Sequence, residues 1–297
     1  MITTSPSVFI NCQDHNAENP LWHPHHQCLY WTDIPAGKMY RFLPDRNKYE
    51  QIYEGTKVGG FTMQADGSLL LLKAGGTVEI WREGKITTVI PEIPAAKDTR
   101  FNDAIADPEG RVFSGIMGTD DNAGQLYRID PDGSYRVVVE DLLLPNGMGF
   151  STDCRYFYLT DSDRRTIYRF NYDRSTGELS NQEVAIVTSE AEGVPDGMTV
   201  DTEDYIWSAR WNHSRIYRYS PEGKEVSSIE LPVPKISCVT FGGENYDRLF
   251  ISSAREKNEC NSPEAKRSSE IVDPSGDIFH HQPEVLGRPE FLSRIGL

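Results

Sequence analysis

Apolar and polar residues alternate along most of this chain, and stretches with helical spacing are almost absent. The alternation comes in short runs rich in Tyr, Trp, Phe, Val and Ile, each followed by a turn and a second run, which is the pattern of β-hairpins. LYWTDIPAGKMYRF, from Leu29, and FYLTDSDRRTIYRF, from Phe157, nearly superimpose. IWSARWNHSRIYRY has the same form from Ile206. Looser versions begin at Leu70 (LLLKAGGTVEIW), at Val112 (VFSGIM, then GQLYRID after a longer loop) and at Leu249 (LFISSAR, then GDIFHH after a long insertion). The six starts lie 41 to 49 residues apart, the period of a propeller blade.

A further short strand precedes each hairpin: ENPLWH, GGFTMQ, FNDAIAD, PNGMGFS, PDGMTVD and ISCVTFG. Glu18, Asn102, Asn146 and Asp196 each stand ten or eleven residues before the hairpin that follows. The pattern therefore predicts an all-β fold over residues 1–297, a single six-bladed β-propeller of four-stranded antiparallel blades. The first strand of each blade lines the central channel, so the four polar residues are expected to meet at one mouth of it. The other two blades carry Val58-Gly59-Gly60 and Ser237-Cys238 there, small or neutral residues that leave room for a ligand. Asn-Gly and Asp-Gly are also ordinary tight-turn dipeptides. The equivalence of four positions favours a site over turns alone.

Glu18, Asn146 and Asp196 offer only oxygen donors. Two carboxylates at close range repel and raise each other's pKa, and a cation removes that cost. One divalent ion is expected, Ca²⁺, Mg²⁺, Mn²⁺ or Zn²⁺, and the all-oxygen set suits the first three. Three protein ligands leave positions open for water or substrate, which favours a catalytic role over a closed structural calcium. Arg100 lies two residues before Asn102, so alternation puts both on one face, able to bind oxygens of a polar substrate. A surface ion pair of Arg100 with Asp98 or Asp103 is the alternative. Asp120 and Asp121, in a loop beyond a strand end, are candidates for reaching the same substrate.

The excess of acid sharpens this picture. With 30 Lys and Arg against 45 Asp and Glu, a formal charge of −15, the chain is not expected to bind nucleic acid or an anionic membrane surface. Five cysteines, Cys12, Cys28, Cys154, Cys238 and Cys260, fit no C-x-x-C zinc spacing. With no signal-peptide pattern and no membrane-length apolar run, a cytoplasmic protein with free thiols is expected. A monomer or weak homo-oligomer is the expected assembly. No G-x-S-x-G elbow or G-x-G-x-x-G loop supports a serine hydrolase or a nucleotide cofactor. HPHHQ, with His23, His25 and His26, reads as a solvent-exposed turn. The tryptophans read as packing between blades, with Trp211 also a candidate sugar-stacking surface.

ENPLWHPHHQCLYWTDI, RFNDAIADPEGRVFSGIMG, LPNGMGFSTDCRYFYLTDS and GVPDGMTVDTEDYIWSARWNHSRIYRYSPEGK resemble the SMP-30/gluconolactonase/luciferin-regenerating-enzyme family, which includes regucalcin. The resemblance spans nearly the whole chain, with motifs in family order and spacing. It implies a six-bladed propeller with one divalent metal on Glu18, Asn146 and Asp196. It also implies substrate binding by Arg100 and Asn102, hydrolysis of a small-molecule sugar lactone, and Asp196 as general base. A carboxylate bound to a cation is a weak base. Either its second oxygen works on the water, or Asp196 only orients a water that the metal acidifies.

Two departures stand out. Asn19 replaces a family glycine, so the local turn is open to difference, and a T-S-P-type motif reads Ile236-Ser237-Cys238 here. The polar segment 256–275 is expected to be a mobile loop, which shapes specificity if it covers the channel mouth and is plain surface decoration otherwise. A protein-binding propeller or a non-catalytic calcium-responsive regulator remains the competing function.

Overall fold

The computed structural model describes residues 5–255 and 273–297, so most of segment 256–275 lies outside the described residues. Six four-stranded antiparallel sheets form a six-bladed β-propeller. Blade I runs Ala17–His23, Cys28–Asp33, Lys38–Leu43 and Lys48–Glu54, from the channel outward. Blades II to V repeat this order, starting from Val58–Met63, Phe101–Ala106, Pro145–Phe150 and Val194–Val200. Blade VI takes Ile236–Gly242, Arg248–Ser253 and Ile278–His281, and its outermost strand is the N-terminal Ser7–Ile10. That strand closes the ring by pairing the N-terminal segment with Ile278–His281. Single 3₁₀ turns are the only helical elements among the described residues, and none is long and apolar enough to cross a membrane.

Alternation dictates the packing. In Leu69–Lys73 the side chains of Leu70 and Leu72 join the core shared with blade III, while Leu69 and Leu71 join the one shared with blade I. One such core fills each of the six gaps between blades. Inner strands are therefore buried on both faces and read as nearly continuous apolar runs. Outermost strands such as Lys48–Glu54 and Glu225–Glu230 are mostly exposed and polar.

Every first strand breaks its pairing register near its start. The breaks fall between Glu18 and Leu21, Val58 and Gly60, Asn102 and Ala104, Pro145 and Met148, Pro195 and Met198, and Ile236 and Cys238. Such bulges bend a strand and re-aim a side chain. At the opposite face, the C-terminal segment crosses the ring on backbone hydrogen bonds. Gly287 N donates to Tyr246 O (2.8 Å), Ser293 N to Met63 O (2.8 Å) and Arg294 N to Gly110 O (2.9 Å). Glu290 and Phe291 from this segment line a channel cavity of about 30 Å³ together with Asp103, Met148, Met198 and Cys238.

Candidate active site

The bulges carry the polar residues. Glu18, Asn102, Asn146 and Asp196 all lie at or beside a register break, on four different blades. Asn146 and Asp196 are each 6 % exposed. The Asn146 amide Nδ2 donates to Asp196 Oδ1 across the gap between blades IV and V, and to Ser162 Oγ at 3.1 Å. Two glycines let the strands approach this closely. A Cβ at Gly147 would lie 2.5 Å from Met198 N, and one at Gly197 would lie 2.6 Å from Cys238 Cβ.

Arg100 turns to Asn102 rather than to Asp98 or Asp103. Its Nη1 donates to Asn102 Oδ1 at 2.6 Å and to Phe101 O at 2.9 Å. Asn102 Nδ2 in turn donates to Pro145 O at 2.9 Å, tying blade III to blade IV. Arg100 keeps part of its surface exposed. Asp120 and Asp121 sit in the hairpin loop after Val112–Ile116, at the same end of blade III, because Asn102 pairs with Gly115. Both are exposed and line a rim hollow with Asp163, outside the axial group.

The charge balance at the axis is lopsided. Burial pushes the Asp196 carboxyl up to about 8, with Asp103 adding to the rise while the Asn146 hydrogen bond and Arg100 oppose it. Burial, then Asp196 and Asp103, hold Glu18 well above the ordinary range. Asp103 itself is raised to about 7, by burial and by Glu290. Arg100 is the cation that opposes this group, and burial lowers its own pKa while Glu18 and Asp196 act the other way.

Asp103 escaped the sequence reading as an axial residue. Its backbone is left-handed (φ 57°), and its carboxylate accepts from Ala104 N at 2.7 Å and from Asn19 Nδ2 at 3.3 Å. Its place after Asn102, matching Gly147 and Gly197, was the available signal. His23 also differs from expectation. Rather than lying in an exposed turn, it ends the first strand of blade I at 1 % exposure. Its Nδ1 accepts from His25 N and His26 N, both at 3.2 Å, and its ring stacks on His26 at 3.8 Å. Four tryptophans, Trp22, Trp31, Trp81 and Trp207, are buried between blades, while Trp211 is half-buried with Lys235 Nζ 5.3 Å from its ring centre. Cys12, Cys28, Cys154 and Cys238 are free thiols.

The donor set suits a hard divalent cation. Among the described residues no three His, Cys, Asp or Glu side chains are grouped as metal ligands, so a third side-chain donor beside Glu18 and Asp196 would come from another residue type. Asn146 would supply it if its amide made a half-turn, giving up the bond its Oδ1 accepts from Gly147 N at 3.0 Å. The Ser162 hydroxyl, now an acceptor, can then serve as donor to the same group. The buried Asp196 and half-buried Glu18 carboxylates, with an amide between blades, form a cradle whose negative charge a cation would compensate.

Residues 16–255 match the profile described as the SMP-30/Gluconolactonase/LRE-like region. The pentonolactonase XacC of Haloferax volcanii is 39% identical over 282 residues, 94% of this chain and 95% of that protein. A 6-deoxy-6-sulfogluconolactonase of Pseudomonas putida is 31% identical over 296 residues, 98% of this chain and 97% of that protein. Among solved structures, a calcium-binding regucalcin from Agrobacterium tumefaciens superposes with a TM-score of 0.87 at 24% identity, over 99% of this chain and 98% of that one.

Proposed function

This chain belongs to the SMP-30/gluconolactonase/LRE-like family, and on that premise we propose that it is a lactonase that opens the ring of a sugar lactone. The observation that carries the reading is the meeting of Glu18, Asn146 and Asp196 at the axis beside the Arg100–Asn102 pair. Relatives named as lactonases, aligned over more than nine-tenths of this chain, support the reaction class.

Ring opening adds the oxygen of water to the lactone carbonyl carbon, breaks the acyl carbon–ring oxygen bond, and delivers a proton to the departing ring oxygen. A divalent cation held by Glu18, Asn146 and Asp196 would supply Lewis acidity and charge relief at the carbonyl oxygen. Arg100 presents its free N–H groups to substrate hydroxyl oxygens, and its bond to Asn102 fixes the direction of the guanidinium. Asp196 takes the proton of the attacking water through one carboxylate oxygen while the other faces Asn146. Burial at the end of the channel keeps bulk water from competing for these groups.

The test is hydrolysis of gluconolactone and of pentonolactones, read as acid release with a pH indicator above the spontaneous rate. Chelator should abolish the enzymatic rate, and adding back one divalent metal at a time should restore it. Acid release that never exceeds the buffer blank, with any of the metals, ends the lactonase reading.

A further inference from the structure

Asn19 stands where close-packed blades use glycine. Gly147 and Gly197, at the matching points of blades IV and V, leave no room for a side chain because the next inner strand lies against them. Asn19 is 4 % exposed, yet its side chain fits, because it fills the space between the inner strands of blades I, II and III. Its Oδ1 accepts from Phe61 N of blade II at 2.7 Å, and its Nδ2 donates to Asp103 Oδ1 of blade III at 3.3 Å. Phe61 N is a buried donor on the channel edge of its strand, where the sheet offers no further partner. The backbone at Asn19 is left-handed, φ 49°, a conformation that Gly adopts freely and Asn tolerates better than most residues. The turn is thus kept without the glycine, and the side chain is free for another use.

That use concerns Glu18. The N–H of Asn19 donates to Glu18 Oε2 at 3.3 Å, so whatever fixes the Asn19 peptide also aims the Glu18 carboxylate. We infer that Asn19 is a positioning residue: its side chain staples three inner strands and thereby orients Glu18 toward the axial cation. This rests on the reading of Glu18, Asn146 and Asp196 as that cation's ligands. Residues that orient metal ligands through such contacts typically change affinity or turnover ten- to a hundredfold when replaced.

Two variants separate the staple from the turn. Asn19→Gly keeps the left-handed backbone and deletes the staple; Asn19→Ala deletes the staple and strains the backbone. Calorimetric titration of each with Ca²⁺ and with Mn²⁺, melting of the cation-free proteins, and kcat and KM on a hydrolysed lactone provide the readouts. Both variants should bind the cation about tenfold more weakly and lose about tenfold in kcat with KM within about threefold. Asn19→Gly should melt somewhat below the wild type, because Phe61 N loses its acceptor, and Asn19→Ala, strained as well, should melt lower still. An Asn19→Gly protein with wild-type affinity and turnover overturns the proposal, because the backbone alone then suffices. So does a wild-type protein that takes up neither cation. A wild-type protein that binds the cation and hydrolyses no lactone ends the lactonase reading instead, and the affinity arms still decide the role of Asn19.

Discussion

Blades IV and V begin with nearly the same words, LPNGMGFS from Leu144 and VPDGMTVD from Val194, and their first strands break register at the same place. What they share is steric: a proline, then a glycine that admits the next inner strand. At the axis itself they differ by one atom, the amide nitrogen of Asn146 against a carboxylate oxygen of Asp196. The support beneath each also differs. In blade IV, Asp161 accepts from Leu143 N (3.1 Å) and Leu144 N (3.0 Å), holding the lead-in to the first strand. At the same point of blade V stands Arg210, fully buried, which donates to Tyr219 OH at 2.7 Å. The lead-in there is held by a different device. Ser189 and Glu192 form a capping box, and Arg165 Nη1 reaches Gly193 O at 2.5 Å. A repeat thus conserves the close approach of backbones and leaves each blade to solve its own polar bonding.

The sharpest way to break this pairing is to remove its one difference. Asp196→Asn turns blade V into a second blade IV at the axis, and should lower kcat by about a thousandfold, within the range expected for loss of a general base. Glu18→Gln should loosen the cation more than Asp196→Asn does. The double exchange Asn146→Asp with Asp196→Asn returns the same atoms on opposite blades. Cation uptake should recover by calorimetry while turnover stays down, because the base now faces the water from the wrong side. Recovery of turnover in the exchanged protein would show that only the charge count matters.

A smaller effect separates the two blades by pH. The amide of Asn146 does not titrate, whereas Asp196 and Asp103 sit at about 8 and about 7 against an ordinary 3.8. The fold therefore favours their protonated forms. The stability they contribute is fully present below about pH 4 and is lost as pH rises through about 7 to 8. In chelator-treated protein, the melting temperature should fall between pH 5 and pH 8. Asp196→Asn should melt about 3 °C or more above the wild type at pH 8 and close to it at pH 5. Parallel melting curves across that range would mean that Asp196 bears no uncompensated charge.

How far all this could be read beforehand depended on what kind of contact each feature uses. The blades were legible because burial on both faces of an inner strand imposes alternation, as in Leu69–Lys73, and alternation needs no knowledge of partners. Glu18, Asn102, Asn146 and Asp196 were legible because a fixed distance to the next hairpin is also local. Ser7–Ile10 looks like any short strand, and nothing in its four residues says that it pairs with Ile278–His281 at the other end of the chain. The far-face segment was invisible for a related reason, since it is held by backbone groups such as Ser293 N on Met63 O, and backbone bonding leaves no side-chain signature. Asp103 and Asn19 were missed as a linked pair because their meaning lies in a contact between blades I and III. His23 was misread because a turn-like HPHH was weighed by composition, while the strand runs on through the first of its histidines.

The least disruptive test bears on the lead-ins. Asp161→Asn preserves size and the Oδ1 acceptor, which both Leu143 N (3.3 Å) and Leu144 N (3.0 Å) reach, but it replaces the Oδ2 that Leu143 N meets at 3.1 Å by an NH2 group, and the 3.5 Å contact with Arg164 loses its charge. Weakening hydrogen bonds to a charged carboxylate costs about 1–3 kcal/mol, which in a chain of this size lowers the melting temperature by about 2–6 °C. Asn146 lies only two residues beyond Leu144, so a lead-in that slackens should also loosen the Asn146–Asp196 contact, with cation affinity falling by a few-fold. Arg165→Ala makes the matching change in blade V, releasing Gly193 O three residues before Asp196. Its loss in melting temperature should be the smaller of the two, because the capping box of Ser189 and Glu192 still holds the lead-in of blade V. If Arg165→Ala proves the more damaging, the lead-in of blade V depends on that one arginine and its capping box adds nothing.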